Sequence, residues 1–432
     1  MSPRVFSFSR FKEKHARPGL WMDHDREIDD VRKIIRAVQE KGDRALFEYT
    51  SLFDGAVITG LALTADEENA AVGEVSSILK DSIREALKNI EDYHRRQIPA
   101  SIWSEGDGIR IGQVYRPLKR VGAYVPGGTA SYPSSVLMTV VPAHVAGVEE
   151  INVCTPPAPD GKISPAVIFA AREAGAGTIF KIGGAQAVAA LAYGTESIPA
   201  VDKIVGPGNI YVTLAKREVA GDVGIDMLAG PSEIMIVADS TARADYIAAD
   251  LLSQAEHGPL SRSYLVTDSA ELIDRVGKEL DRQLADLPRR DVASVSLEKQ
   301  GGLVLVGNLG EAWEIVNLIA PEHLEILLPQ PWKYIEEVRN AGTVFLGPYS
   351  PEPLGDYWAG VNHVLPTGGS ARFSSPLGVD DFMRYTQVVS YEKGALGKVS
   401  TAIQELAGAE GFDAHARSIK IRGRSDEQES QD

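Results

Sequence analysis

Cysteine is nearly absent: Cys154 is the only one in 432 residues. That excludes an intrachain disulfide framework and every cysteine-rich zinc module. Any bound metal must take its ligands from His, Asp, Glu, Gln or water. Cys154 itself lies in the apolar run INVCT, the setting of a buried structural thiol more than of a nucleophile. Positive charge is also in short supply. With 44 Lys and Arg against 60 Asp and Glu, the net charge is −16, so the chain lacks the basic face that a nucleic-acid backbone requires. Long apolar runs are missing as well. The best stretch, 136–148, is short and broken by Pro142 and His144, and the opening MSPRVFSFSRFKEKHARPG has no apolar segment. These features predict a cytoplasmic protein with no membrane span. Two motifs are absent too: no H-E-x-x-H for a standard zinc hydrolase, and no G-x-G-x-x-G for a standard dinucleotide fold.

What remains is the composition of a folded globular chain, 44% apolar and 24% charged, long enough for about two or three domains. The first ~110 residues carry amphipathic helical runs around 26–49 and 68–97. From about Val121 the texture changes to short β-branched runs alternating with alanine-rich ones: VGAYVP, SSVLMTVVPAHVAG, EINVCTP, SPAVIFAAREAG, TIFKIGG, AQAVAALAYG, KIVG, NIYVTLAKREVAG. A second set follows with IMIVAD, SYLVTD, GLVLVG and TVFLG separated by helical stretches. Alternation of this kind predicts an α/β chain with two parallel-sheet units. Pro- and Gly-rich segments at Pro231 and 347–355 mark their edges. The expected division is a helical lead-in, 1–119, joined to an α/β domain, 236–376, around a second α/β domain, 120–235. Residues 377–432 are expected to be a helical C-terminal extension ending in a disordered tail, RGRSDEQESQD.

Three glycine loops, VPGGTA, KIGGAQA and VGPGN, each fall at a strand's end before a helix, where backbone amides and the helix dipole can meet a phosphate. Each also fits a tight turn that needs positive φ. Two Glu-His pairs stand in different settings. In SQAEHGP, Gln254 and His257 are three apart in a helix that Gly258 is expected to end, so both share a face; a plain helix-surface pair fits as well. In APEHLEI, Glu322 and His323 follow Pro321 and are expected to open a helix or turn. There an imidazole can take an alcohol proton and a carboxylate can activate water. EPLGDYWAGVNHVLPTGG sets Glu352, Asp356, Asn362 and His363 in a segment expected to be a loop. Asp356 suits either a hard divalent ion or a capping role. Glu410 and His415 lie in AEGFDAHARS, where a solvated helix end is the plain reading.

The full set resembles histidinol dehydrogenases. The resemblance runs from about Arg26 to Arg422 through VPGGTASYPSSVLM, KIGGAQAVAALAYGTESIPAVDKIVGPGNIYV, GIDMLAGPSEIMIVAD, DLLSQAEH, APEHLEI, NAGTVFLGPYSPEPLGDYWAGVNHVLPTGGSARFSSPLGVDDF and a late Glu-x-x-x-x-His. It implies a zinc- and NAD-dependent enzyme that oxidises L-histidinol through the aldehyde to L-histidine, the last step of histidine biosynthesis. It implies two incomplete Rossmann-like units and a homodimer with shared active sites, into which the C-terminal extension reaches. The zinc ligands it implies are Gln254, His257 and Asp356, with His415 of the partner subunit. By the same resemblance Glu322 and His323 would do the acid–base work, Ser232, His363 and Glu410 would contact the substrate together with His323 and the metal ligands, and Tyr124, Gln186 and Asn209 would lie along the NAD site. Gly258 departs from the acidic residue frequent at that place in the family. The nearest rival keeps fold, zinc and NAD but oxidises another small alcohol, such as a sulfonated diol. A catalytically dead homologue would have lost one of these side chains, and a zinc hydrolase would not need the NAD residues.

Overall fold

The computed structural model describes residues 3–15, 24–128 and 131–423. Thr129 and Ala130 of the VPGGTA loop, and residues 424–432 of the tail expected to be disordered, lie outside the described residues. In chain order the strands are β1 (Arg4–Ser7), β2 (Ile102–Gly106), β3 (Ile109–Pro117), β4 (Arg120–Tyr124), β5 (Glu150–Thr155), β6 (Ile179–Lys181), β7 (Lys203–Val205), β8 (Gly224–Ile225), β9 (Glu233–Ala238), β10 (Arg262–Thr267), β11 (Gly302–Leu305), β12 (His323–Leu327), β13 (Thr343–Leu346) and β14 (Met383–Tyr391). The chain divides into two compact units, Met1–Gln97 with Leu118–Phe382, and Ile98–Pro117 with Met383–Asp432.

The first unit contains two parallel sheets, ordered β6-β5-β4-β7-β8 and β1-β11-β10-β9-β12-β13. In the smaller sheet the chain builds outward from β4 to β6, then returns to the other side of β4 as β7 and β8. The larger sheet does the same from β9 to β11 and then to β12 and β13, with β1 added at its edge. Each is a doubly wound half with a reversal point, between β4 and β7 in one and between β9 and β12 in the other. The expected α/β class with two incomplete Rossmann-like sheets is therefore the observed one. β9 opens at Glu233, three residues before the expected boundary at 236, and pairs with β10 and β12.

Local sequence explains the close packing of the smaller sheet. The helix Gly184–Tyr193 is built from small apolar residues and buries Ala185, Val188 and Leu191. It lies against Gly122 of β4, where a Cβ would stand 2.7 Å from Leu191 Cδ1. Burial of Leu191 contributes on the order of 1.5–3 kcal/mol. Gly206, just past β7, has φ +110° and comes so near β4 that a Cβ would lie 2.1 Å from the Tyr124 carbonyl oxygen, so only glycine fits. A buried ion pair holds this loop. Lys216 pairs with Asp226 and donates to the Gly206 carbonyl at 2.9 Å, while Asp226 accepts from the Gly206 amide at 2.7 Å.

Six elements differ from the sequence expectation. Residues 102–117 and 383–391, expected in helical segments, form the antiparallel sheet β14-β3-β2 of the second unit. Their β-branched and aromatic residues, as in MRYTQVVSY, suit extended backbone, and most positions of β2 and β14 are exposed. After β14 come the expected helices, Lys393–Ala409 and Asp413–Arg422. HLEIL, expected to open a helix or turn, is the inner strand β12, and β1 adds RVFS to the edge strand β11. The expected 352–369 loop begins with a short helix, Glu352–Tyr357, with Pro353 in its first turn, where an amide has no intrahelical partner and proline therefore forfeits no hydrogen bond. Among the described residues, no helix is long and apolar enough to cross a membrane.

Candidate active site

The acid–base pair lies at the amino edge of the larger sheet. β12 and β9 run side by side with His323 in register with Ile234, which brings Glu322 and His323 next to Ser232 and Glu233. Glu322 Oε2 accepts from the Glu233 amide at 2.8 Å. His323 Nδ1 stands 3.3 Å from the Glu233 carbonyl oxygen and 3.7 Å from Glu322 Oε2. A carbonyl only accepts, so these partners assign the ring proton to Nδ1 and leave Nε2 free to take a proton. Burial lowers the His323 pKa to about 4 against a pull upward from Asp356, so the imidazole is neutral at pH 7. Glu322 is shifted the other way. Burial and the nearby Glu233, Asp356 and Glu352 carboxylates hold it well above the ordinary carboxylate range, opposed by the Glu233 amide.

The second group forms where a helix and a loop come to the same edge. The helix Ala244–Ala255 follows β9, runs back across the sheet and ends at Glu256, so His257 sits just past the helix, not on its last turn. Its amide still bonds the Gln254 carbonyl at 3.3 Å. Glu352 and Asp356, four apart on the short helix, share a face. One ligand atom each from His257, Glu352 and Asp356 lie within 4.8 Å of one another. His363 Nδ1 is 3.1 Å from the Asp356 carbonyl oxygen and 3.6 Å from Oδ1, and Glu352 Oε1 is 3.9 Å from His323 Nε2. Gln254 is fully buried, and neither its amide oxygen nor its nitrogen has a hydrogen-bond partner among the described residues. An orphaned amide is costly in a core, and an amide oxygen three residues before His257 could join the imidazole and carboxylates in a donor set that suits zinc.

Sequence reasoning missed part of this group. Glu352 was expected only as a loop residue, and Asp250, Glu233 and Glu325 were not singled out. Glu325 accepts from the Glu352 amide at 2.9 Å and so ties the short helix to β12. Burial raises Asp250 to about 6 and Glu352 to about 9, and lifts Glu325 well above its ordinary value. So many carboxyls in one region cannot all ionise without a cation to offset them. The available signal was the i, i+2 spacing of His323 and Glu325, which puts both on one face of a strand. Glu233 Oε1 accepts from the Gly368 amide at 2.5 Å, holding the LPTGG loop in place.

A separate cavity of about 1660 Å³ opens at the carboxyl ends of β4 and β7, the reversal point of the smaller sheet. Tyr124, Gln186 and Asn209 all line it, with Gly127, Gly128 and Gly184. The Tyr124 hydroxyl accepts from the Gly184 amide at 3.1 Å and is pushed up to about 12 by burial. Asn209 caps the helix Ile210–Val219 through Val212 at 3.2 Å. Gln186 is 1% exposed, and its Oε1 has no partner among the described residues. Glu410 and His415 belong to the second unit, where both are exposed at the junction of its two helices. Cys154 is buried, as expected.

Residues 21–423 match the family model for histidinol dehydrogenase. The chain belongs to the histidinol dehydrogenase family. It is 54% identical to a histidinol dehydrogenase of Moorella thermoacetica over 91% of this chain and 93% of that one. It is 53% identical to one of Halalkalibacterium halodurans, over 92% and 94%. The crystal structure of a histidinol dehydrogenase from Elizabethkingia anophelis superposes with a TM-score of 0.92 at 37% identity, covering 97% of this chain and 98% of that one. This family member is thus an oxidoreductase.

Proposed function

We propose that the chain is a zinc-dependent, NAD-linked L-histidinol dehydrogenase that carries out two successive oxidations, through bound L-histidinaldehyde, to L-histidine in the cytoplasm. The observation that supports this most is the pairing of a neutral imidazole, His323, with a separate carboxyl, Glu322, beside the His257–Glu352–Asp356 group. A simple alcohol dehydrogenase needs only a base. An enzyme that also hydrates an aldehyde needs a second group to activate water.

Gln254, His257 and Asp356, with His415 of the partner subunit, would hold the zinc. When bound, it would supply Lewis-acid anchoring of the substrate's amine and imidazole. NAD, held along Tyr124, Gln186 and Asn209 in the 120–235 half, would supply the hydride acceptor. The rest is protein chemistry. His323 Nε2 takes the hydroxyl proton as the carbinol carbon gives up a hydride. Glu322 then removes a proton from the water that adds to the aldehyde, and His323, once its first proton has passed to solvent, takes the hydroxyl proton of the resulting diol as the second hydride leaves. Ser232, His363 and Glu410 position the substrate.

Two assays test this reading. With zinc restored, NADH should form from L-histidinol and not from a sulfonated diol; turnover of the diol alone would keep the chemistry and replace the substrate. The shared site predicts that a mixed dimer of His257→Ala and His415→Ala chains regains about one working site of two, whereas each parent dimer is inactive. No regain would mean that each site is built within one chain.

A further inference from the structure

Glu233 carries more than its place in a strand requires. Its side chain is buried at the opening of β9, and burial pushes its carboxyl up against the opposing pull of Arg262 and the Gly368 amide. A buried carboxylate is a poor source of stability, since removing its charge from water offsets most of what its partners return. Its backbone, however, touches both members of the acid–base pair. The amide donates to Glu322 Oε2 at 2.8 Å, and the carbonyl oxygen faces His323 Nδ1 at 3.3 Å. Both side chains are thus aimed by the peptide groups of one residue.

The side chain fixes where that backbone stands. Glu233 Oε1 accepts from the Gly368 amide at 2.5 Å, with the Gly369 amide alongside. Gly368 and Gly369 have φ +59° and +84°, the left-handed turn that brings successive amides to one acceptor. Oε2 lies 3.5 Å from Arg262 Nη1. Arg262 is the register partner of Glu233 on β10, and its amide donates to the Ser232 carbonyl at 2.9 Å. The same loop makes a second tie, in which Thr367 Oγ1 accepts from the Gly230 amide at 2.5 Å. The segment 230–233 is therefore fastened on both sides of Ser232, by a loop that continues the stretch carrying Asp356 and His363.

We propose that Glu233 is a positioning residue for the reaction: its carboxylate, clamped between Arg262 and the LPTGG loop, holds in place the peptide groups that aim Glu322 and His323. This rests on the reading of those two as the acid–base pair. The test is steady-state oxidation of L-histidinaldehyde by the full-length, zinc-restored protein, arranged as a double-mutant cycle of Glu233→Gln and Glu322→Gln. Glutamine keeps the volume and an acceptor for the Gly368 amide, but its NH2 group, a donor, meets the Arg262 guanidinium, also a donor. Glu233→Gln alone is expected to lower kcat about tenfold, with KM for the aldehyde and zinc content within about twofold of wild type. In the Glu322→Gln background the same change should lower kcat by about threefold or less, because one of the two groups it aims is already gone. A loss under about threefold in Glu233→Gln itself, a loss above about threefold in both backgrounds, or a KM or zinc content that moves along with kcat overturns the positioning role alone. A wild-type protein that forms no NADH from L-histidinaldehyde overturns that role and the acid–base reading together.

Discussion

Replacing His257 or Asp356 with alanine is expected to strip zinc and activity together. Both supply atoms to the cluster with Glu352, in which ligand atoms stand within 4.8 Å. The surroundings amplify the loss. Gln254 keeps a buried amide without partners among the described residues, and Glu322, Glu325 and Glu352 are all held above their ordinary range by burial and neighbouring carboxylates. A cation offsets that repulsion, so removing a ligand sacrifices the bond and leaves the carboxyls to protonate. Metal affinity should fall by more than the roughly ten- to hundredfold typical of a residue that only orients a ligand. Zinc content after dialysis, measured by atomic absorption beside NADH formation, checks it. Wild-type zinc content in either variant would sink the ligand assignment.

Glu322→Gln is expected to separate the two halves of the reaction. The glutamine keeps an oxygen that can accept from the Glu233 amide, as Glu322 does at 2.8 Å, so the β9–β12 edge and His323 stay in place. Alcohol oxidation needs only His323 and should persist within about tenfold of wild type. The aldehyde-to-acid half loses its water activator and should slow by about 10²–10⁴. The pH profiles follow from opposite shifts. His323, lowered to about 4, is already the neutral base above about pH 5, so the first half is flat with rising pH. Glu322, raised well above its ordinary value, acts as a base only once ionised, so the second half climbs with pH through that raised value. In Glu322→Gln the climb disappears. Supplying L-histidinaldehyde directly isolates the second half. Equal losses in both halves would contradict this division of labour.

How much of this was legible in the chain differs from element to element. The alternation of EINVCT and KIVG with alanine-rich helices follows from strands buried on both faces, so composition alone reveals it. The glycine loops were legible because Gly206 stands where backbone meets backbone. The strand β12 was not, because Pro321 and Glu322 imitate a helix start and HLEIL puts two ionisable side chains on an inner strand. Only burial between β9 and β13, plus partners from other segments, makes that tolerable. β1 is four residues whose pairing is set by an edge 298 residues away, Arg4 opposite Gly302, and no local pattern encodes it. Glu325, Asp250 and Glu352 were missed for a related reason. A buried acid announces itself through its neighbours, and these come from a helix, a strand and a short turn that the sequence keeps far apart. The Gln254–His257 spacing is legible, but the helix stops at Ala255, two residues short of His257.

The central claim is that a single site with adjacent Glu322 and His323 takes an alcohol through four electrons of oxidation. The measurement that tests it most directly is the amount of NADH formed per L-histidinol consumed to completion by the purified, zinc-restored protein. The account predicts about two NADH for each histidinol, with histidine as product and no free aldehyde accumulating. A ratio of about one, with aldehyde released, would mean that Glu322 activates no water and would contradict it.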